Sequence, residues 1–288
     1  MPELPEVETT VRMVRAGLEG RTIRGVRVGW ERSLGGMSSA LFGRRVRGAQ
    51  IVQVSRRAKY IVLSLERSGA PAGFIFVHLR MSGRLCIETP GEPLEPGLAA
   101  YVRVRLKLDR GDLAFVDVRK FGRFEFVRER DEITAALGPE PLGNGFTESG
   151  FRRALGARKR LLKPLLLDQT FLAGLGNIYV DEALHRSGLH PQRRSDRLPR
   201  AAVGRLYREI RATLSEAIER EGSSIDTFYR TPEGQPGQYQ DRFQVYGRTG
   251  KPCLRCGRGI RRIVVGQRGT HFCSRCQPAP RPGMISAP

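Results

Sequence analysis

Four of the five cysteines stand in two Cys-x2-Cys pairs, Cys253/Cys256 and Cys273/Cys276, with sixteen residues between the pairs. A fold that accepts this spacing has to gather four sulfurs at the base of a short intervening segment, as metal thiolates or as disulfides. No apolar run approaches the roughly 18–20 residues that span a bilayer. The N-terminus, MPELPEVETT, is acidic and has no apolar stretch of the kind a signal peptide needs. The expected compartment is therefore the cytosol, where the pairs read as one closed structural zinc site rather than as disulfides. Four sulfurs fill the metal shell and leave no open position for catalysis, so His271, inside the module, is expected to pack rather than to ligate. Cys86, in a strand-like run, reads as a small buried hydrophobe, and His185 and His190 look ordinary.

Charge narrows the partner. Fifty Lys and Arg against 29 Asp and Glu give a formal net charge of +21. Such an excess favours a polyanion, because each neutralised phosphate releases condensed counterions. The basic residues are spread along the chain and form no single basic helix, which argues against a membrane-surface helix. Between the cysteine pairs, residues 261–265 and 270–272 read as two strands around 266–269. Arg268 would sit at the hairpin tip, held by the metal and aimed at a phosphate.

The first half reads as β-structure. In Tyr101–Leu108, Val102, Val104, Leu106 and Leu108 alternate with Arg103, Arg105 and Lys107, a period-2 strand with one wet face. Short runs at 46–54, 59–65, 73–79, 113–118 and 123–128 repeat the theme and imply a sandwich or barrel. One helix precedes them, with Pro5 at its start and Val7, Val11, Val14 and Leu18 at helical spacing. After Gly138-Pro139 the pattern turns helical, over 147–157, 159–168, 177–187 and 199–222, and Ala173–Asn177 makes a tight turn. Residues 223–242, rich in Gly, Pro, Gln and Ser, read as a mobile loop.

The extreme N-terminus offers chemistry. Once Met1 is removed, Pro2 becomes a secondary amine with an α-amino pKa near 8, usable as a nucleophile around neutrality. The positive end of the following helix disfavours its charged form further. Attack of such an amine on a sugar C1′ yields an iminium, an electron sink that permits later elimination. Glu3 and Glu6 lie beside it, able to move protons. On the residues alone, the same segment also reads as a plain helix start with acids in its first turn.

The order of motifs decides between these readings. The start MPELPEVETT is followed by Arg57-Ala58-Lys59-Tyr60, His78-Leu79-Arg80-Met81-Ser82-Gly83, Asp117-Val118-Arg119-Lys120-Phe121-Gly122, Gly174-Leu175-Gly176-Asn177-Ile178-Tyr179 and the cysteine module. Over residues 2–277 the chain resembles the formamidopyrimidine-DNA glycosylase family. The resemblance implies an α+β multidomain fold: an N-terminal helix plus antiparallel β-sandwich (1–138), then a helical helix–two-turn–helix domain (139–242) that includes a lesion-capping loop at 223–242. A zinc β-hairpin finger (243–277) and a disordered tail (278–288) complete it. DNA is expected in the cleft between the halves.

The same resemblance assigns roles. Pro2 matches the nucleophile that forms a Schiff base with C1′, Glu3 the acid that protonates the sugar ring oxygen, and Glu6 a helper near the lesion. Lys59 matches a lysine that holds a phosphate beside the damaged nucleotide, and Arg268 joins Pro2, Glu3 and Lys59 in the catalytic set. Met81, Arg119 and Phe121, of which Met81 and Phe121 alone would read as core residues, match the three side chains that fill the gap left by an everted nucleotide. Chemistry on a base requires its extrusion from the stack; an apolar wedge and a ring replace part of the lost stacking, and a guanidinium can bond the orphaned base. Asn177, at a helix N-terminus where Gly176 allows close approach, is expected to donate to a phosphate. Lys163, before Pro164, matches another basic position and is expected to touch the DNA backbone or the lesion.

The implied activity is repair of oxidised purines in duplex DNA, by glycosidic cleavage followed by β,δ-elimination, with one structural zinc (Cys253, Cys256, Cys273, Cys276) and no redox cofactor or catalytic metal. The expected protein is a cytoplasmic, nucleoid-associated monomer of bacterial type, bound to damaged double-stranded DNA and to no membrane. Two alternatives stay open: an endonuclease VIII-like enzyme for oxidised pyrimidines, and a damaged-DNA binder that does not cut. Leu4 and the Asp117–Gly122 motif favour the purine enzyme. The run Ser223–Phe228 departs from the Thr-Leu-Arg-Asp-like run of many family members, which bears on the preference among damaged purines, and the chain runs past the family's usual end after Gln277.

Overall fold

The computed structural model describes residues 1–89, 91, 94–225 and 229–280. Two compact units emerge: residues 1–136 with 220–238, and residues 137–219 with 239 onward. Of the expected disordered tail, residues 281–288 lie outside the described residues, as do residues 226–228 of the departing run.

In the first unit, α1 (Leu4–Leu18) leads to β1 (Ile23–Val28), α2 (Ser39–Val46), β2 (Gln50–Arg57), β3 (Tyr60–Arg67), β4 (Ala70–His78) and β5 (Gly83–Glu88). A short turn of helix, α3 (Pro96–Ala99), precedes β6 (Val102–Leu108), β7 (Asp112–Asp117), β8 (Arg123–Val127) and the single turn α4 (Asp131–Thr134). The strands form two antiparallel four-stranded sheets, ordered β1-β6-β7-β5 and β2-β3-β4-β8. Their inner faces share one core with α1, whose Val7, Val11, Val14 and Leu18 are fully buried. Each such side chain contributes roughly 1.5–3 kcal/mol of transfer free energy, so the helix is seated firmly against the sandwich. The i, i+4, i+7, i+11 spacing of those four residues is why the segment chooses this face.

The expected strand over 46–54 starts only at Gln50, because α2 runs to Val46 and Gly48 turns the chain at φ +78°. The expected wet face of β6 holds at Lys107 and, half-buried, at Arg105, but not at Arg103. Val102 pairs with Val116 and Val104 with Phe115, so Arg103 is an extra residue, a bulge opposite one step of β7. The bulge turns Arg103 inward, where it is 8% exposed and its Nε donates to the Asp117 carbonyl at 2.7 Å.

The second unit holds α5 (Glu148–Gly156), α6 (Leu162–Leu167), α7 (Asn177–Ser187), α8 (Arg200–Glu219) and the hairpin β9 (Arg261–Val265) and β10 (Arg268–Phe272). Leu206, Ile210, Leu214 and Ala217 on α8 are fully buried, and the two-turn connection from α6 to α7 is stapled by Gln169. Its Nε2 donates to the Leu167 and Leu175 carbonyls (2.9 and 2.8 Å), and its Oε1 accepts from Gly174 N–H at 2.9 Å. Sequence reading groups the whole loop 223–242 with this domain and treats it as mobile. In the structure the described residues through 238 instead pack with the first unit, and Tyr239–Arg242 close into a 3-10 turn.

Candidate active site

The N-terminal cluster is built by the capping geometry of α1. Glu3 occupies the cap position, and its backbone N–H donates to Glu6 Oε2 at 2.8 Å, half of a capping box. Pro2 is buried, Glu3 is 3% exposed and Glu6 is 1% exposed. Two buried carboxylates thus lie within four residues of Pro2, whose nitrogen would begin a processed chain. The other oxygen of Glu6, Oε1, accepts from the Ser223 N–H at 2.8 Å and from its hydroxyl at 3.2 Å. The Tyr229 hydroxyl has two acceptors within reach of its one proton, the Glu221 carbonyl at 3.1 Å and the Glu6 carbonyl at 3.4 Å. Burial, followed by the Glu6 charge, holds the Tyr229 phenol well above its ordinary value, so it stays a neutral donor. Gly222 lets the segment come this close: its φ is +77°, and a Cβ there would lie 2.7 Å from Glu6.

Lys59 follows Ala58, which holds the tight β2–β3 turn at φ +53°. Lys59 is 6% exposed. The Glu8–Arg56 ion pair, 3.0 Å, fastens α1 to β2 just before this turn. Across the ladder, His78 pairs with Tyr60, and its Nδ1 accepts from Arg80 N–H at 3.0 Å. Burial first, then the charges of Arg80 and Lys59, push His78 down to about 3. It is a neutral acceptor beside a cationic turn.

The three expected gap-filling residues sit on two loops that one buried carboxylate joins. Asp117 is fully buried and accepts from the Ser82 hydroxyl, from Arg119 N–H (3.2 Å) and from Gly122 N–H (2.7 Å). Ser82 in turn accepts from Arg119 N–H at 3.1 Å. Met81, next to Ser82, is therefore tied to the 118–122 turn. That turn holds its residues outward: Phe121 is 51% exposed, and the Arg119 guanidinium lies 5.0 Å from the centre of its ring. An exposed aromatic ring on a rigid turn is unusual for a core residue and suits a wedge. The joint roles of Ser82 and Asp117 escape a reading by motif, although both lie inside the quoted motifs.

In the second unit the zinc module hangs on one face of α7. Asn177, Asp181 and His185 recur at i, i+4 and i+8. Asn177 Nδ2 donates to the Gly269 carbonyl at 3.0 Å, and Asp181 Oδ2 accepts from His271 N–H at 2.8 Å. His185 is fully buried, with Nε2 3.5 Å from Cys253 Sγ. Burial, then the charges of Arg255 and Arg186, push His185 down to about 4. Glu182 adds its buried carboxylate to the N–H groups of Gln244, Val245 and Tyr246 (2.8–3.0 Å). This 4-residue spacing along 177–187 was the available signal for His185, which sequence reading passes over as ordinary.

Lys163, expected to touch the DNA backbone or the lesion, is placed inside the second unit. Its side chain is fully buried, with Nζ 2.7 Å from Asp181 Oδ1 and 3.1 Å from the Gly269 carbonyl. The ammonium is spent on holding the hairpin. Arg268, by contrast, is exposed as the first residue of β10, after a two-residue turn in which Gly266 and Gln267 both have positive φ (56° and 60°). Lys163, Asn177 and Asp181 fix the strand on which Arg268 stands.

The cysteine sulfurs meet the chemistry of one tetrahedral zinc. All four lie within 4.8 Å of one another, with Cys253–Cys276 at 3.9 Å and Cys256–Cys273 at 3.4 Å. Zinc–sulfur bonds of about 2.3 Å place tetrahedral sulfurs roughly 3.8 Å apart. The set closes one structural zinc site, and His271, expected to pack rather than to ligate, lies edge-on to Tyr246 with ring centres 4.9 Å apart and bonds to Asp181.

Comparison with known proteins agrees along the whole chain. Residues 1–124 match the formamidopyrimidine-DNA glycosylase N-terminal domain, 137–229 the H2TH domain of the same enzymes, and 250–279 a zinc finger found in FPG and IleRS. A formamidopyrimidine-DNA glycosylase of Heliobacterium modesticaldum is 45% identical over 282 residues, covering 96% of this chain and all of the relative. The complex between Lactococcus lactis Fpg and DNA containing an abasic site superposes with a TM-score of 0.85 at 35% identity, over 96% of this chain and all of that one. The MutM (FPG) protein of Thermus thermophilus gives 0.84 at 43% identity, over 96% and 98% of the two chains. The chain belongs to the formamidopyrimidine-DNA glycosylase family.

Proposed function

We propose that the protein removes oxidised purines, formamidopyrimidines and 8-oxoguanine, from duplex DNA and then cuts the abasic site, acting as a monomer on nucleoid DNA. The observation that carries this reading is the buried group Pro2, Glu3 and Glu6 at the start of α1. After loss of Met1 the Pro2 nitrogen attacks C1′, and the bond from C1′ to the base breaks as the base leaves with its electron pair. Glu3 protonates the ring oxygen, so that the sugar opens to an iminium on Pro2. Loss of the C2′ proton expels the 3′ phosphate, and a second elimination expels the 5′ phosphate, leaving a one-nucleotide gap. Hydrolysis of the iminium returns the free amine.

In this proposal Lys59 and Arg268 hold phosphates flanking the lesion, with Asn177 at the start of α7, while Met81, Arg119 and Phe121 fill the vacated stack. The outward-held turn 118–122 supports that assignment. Excision kinetics on duplexes carrying 8-oxoguanine opposite C and thymine glycol opposite A test the substrate class. Faster excision of the purine is expected. A clear preference for the pyrimidine lesion overturns it, and binding to both without strand scission overturns catalysis.

A further inference from the structure

The single tryptophan of the chain stands beside the turn that carries Arg119 and Phe121. Lys120, between those two residues, places its Nζ 4.4 Å from the centre of the Trp30 ring. Lys120 itself adopts φ +59°, a left-handed conformation that a non-glycine residue keeps only when its surroundings hold it. The Trp30 backbone is fixed on the same framework as the turn. Gly29 N–H and Trp30 N–H both donate to the Arg103 carbonyl (2.8 and 3.3 Å), and the Arg103 guanidinium donates to the Asp117 carbonyl. Arg123, just after the turn, donates to the Arg32 carbonyl at 2.7 Å. The bulge at Arg103 thus connects the Trp30 segment to the base of the turn, and the indole–ammonium contact connects it to the tip.

We infer that Trp30 is a positioning residue for base eversion: through its ring it holds Lys120, and with it the left-handed tip that keeps Arg119 and Phe121 directed outward. The inference rests on the gap-filling reading of Arg119 and Phe121. A cation over an indole is stronger than over a phenyl ring, which gives tryptophan a reason to stand here. Loss of the contact frees the tip to relax toward ordinary dihedrals, and the wedge then enters the stack less often. The consequence falls on the step that needs a stacked base to leave, not on elimination at a sugar whose base has already gone.

Single-turnover rates at saturating enzyme separate these steps, on an 8-oxoguanine·C duplex and on a duplex with a preformed abasic site. Trp30→Leu is expected to slow excision by about tenfold while abasic-site cleavage stays within about twofold. Lys120→Met, made on the solvent side and without change to the core, is expected to show the same split; Trp30→Phe is expected to fall between wild type and Trp30→Leu, and Lys120→Arg to restore most of it. Equal rates for Lys120→Met and wild type on the base-containing duplex, or equal slowing on both duplexes, overturn the inference. Phe121→Ala serves as reference. If it splits the two rates and Lys120→Met does not, the tryptophan has no positioning role; if Phe121→Ala splits nothing, the gap-filling reading itself fails.

Discussion

The Glu6 carboxylate binds Ser223 and the cap of its own helix at once: Oε1 accepts from Ser223 N–H and Oε2 from Glu3 N–H, each at 2.8 Å. One side chain thereby couples the proposed catalytic N-terminus to a segment more than two hundred residues later. Gly222 makes the approach possible. Gly222→Ala forces a Cβ against Glu6 at φ +77°, and is expected to destabilise the first unit by about 1–3 kcal/mol. Urea unfolding followed by Trp30 fluorescence measures this, since Trp30 lies in that unit; an unchanged midpoint contradicts the tight approach.

Lys163 and Asp181 form a fully buried pair. Removing one partner strands a charge, so Lys163→Met is expected to cost about 3–5 kcal/mol in the second unit, and the double change Lys163→Met/Asp181→Leu less. DNA affinity is expected to fall through displacement of Arg268. A loss of affinity that the double variant does not relieve, with the hairpin still folded, points to direct contact by the ammonium instead. Arg268→Ala is the complementary variant, lowering the salt slope of binding by about one unit.

Zinc removal is expected to abolish DNA binding and leave the first unit folded. Chelation or Cys256→Ser tests this with two readouts, DNA retardation and Trp30 emission. Joint collapse of both signals contradicts the independence of the units.

Much of this architecture is legible in the sequence, and what is not has physical reasons. The period of Val7, Val11, Val14 and Leu18 announces α1, and the hairpin between the cysteine pairs is legible because glycines mark its turn, although the turn is only Gly266-Gln267 and Arg268 opens β10 rather than standing at the tip. β1 hid because a bulge between Ile23 and Gly25 breaks its alternation, and Arg103 was misplaced for the same reason one strand away. A bulge inverts the facing of side chains without changing composition, so period alone cannot reveal it. The family motifs located Lys163 but not its burial, since the pairing with Asp181 depends on how α6 meets α7. The attachment of 220–238 to the first unit was hidden because Ser223 and Gly222 owe their positions to Glu6, far away in sequence.

Acid is expected to weaken the first unit through His78. Its folded pKa of about 3 lies below the ordinary 6.5, because burial and then Arg80 and Lys59 disfavour the cation. The unfolded chain therefore takes up the proton first: this contribution is whole above about pH 6.5 and is lost progressively as pH falls toward 3. The slope from this residue is at most about 1.4 kcal/mol per pH unit. Unfolding midpoints at pH 7 and pH 5 are expected to differ less in His78→Asn than in wild type; an identical difference removes His78 from the account.

The most direct test of the mechanism is to map the bond between protein and DNA. Borohydride reduction during turnover of an 8-oxoguanine duplex, followed by peptide mass spectrometry, is expected to find the sugar on the Pro2 nitrogen of a chain that has lost Met1, with no adduct in Pro2→Gly. An adduct on a lysine, or full strand cleavage by protein that keeps Met1, would contradict an N-terminal imino nucleophile.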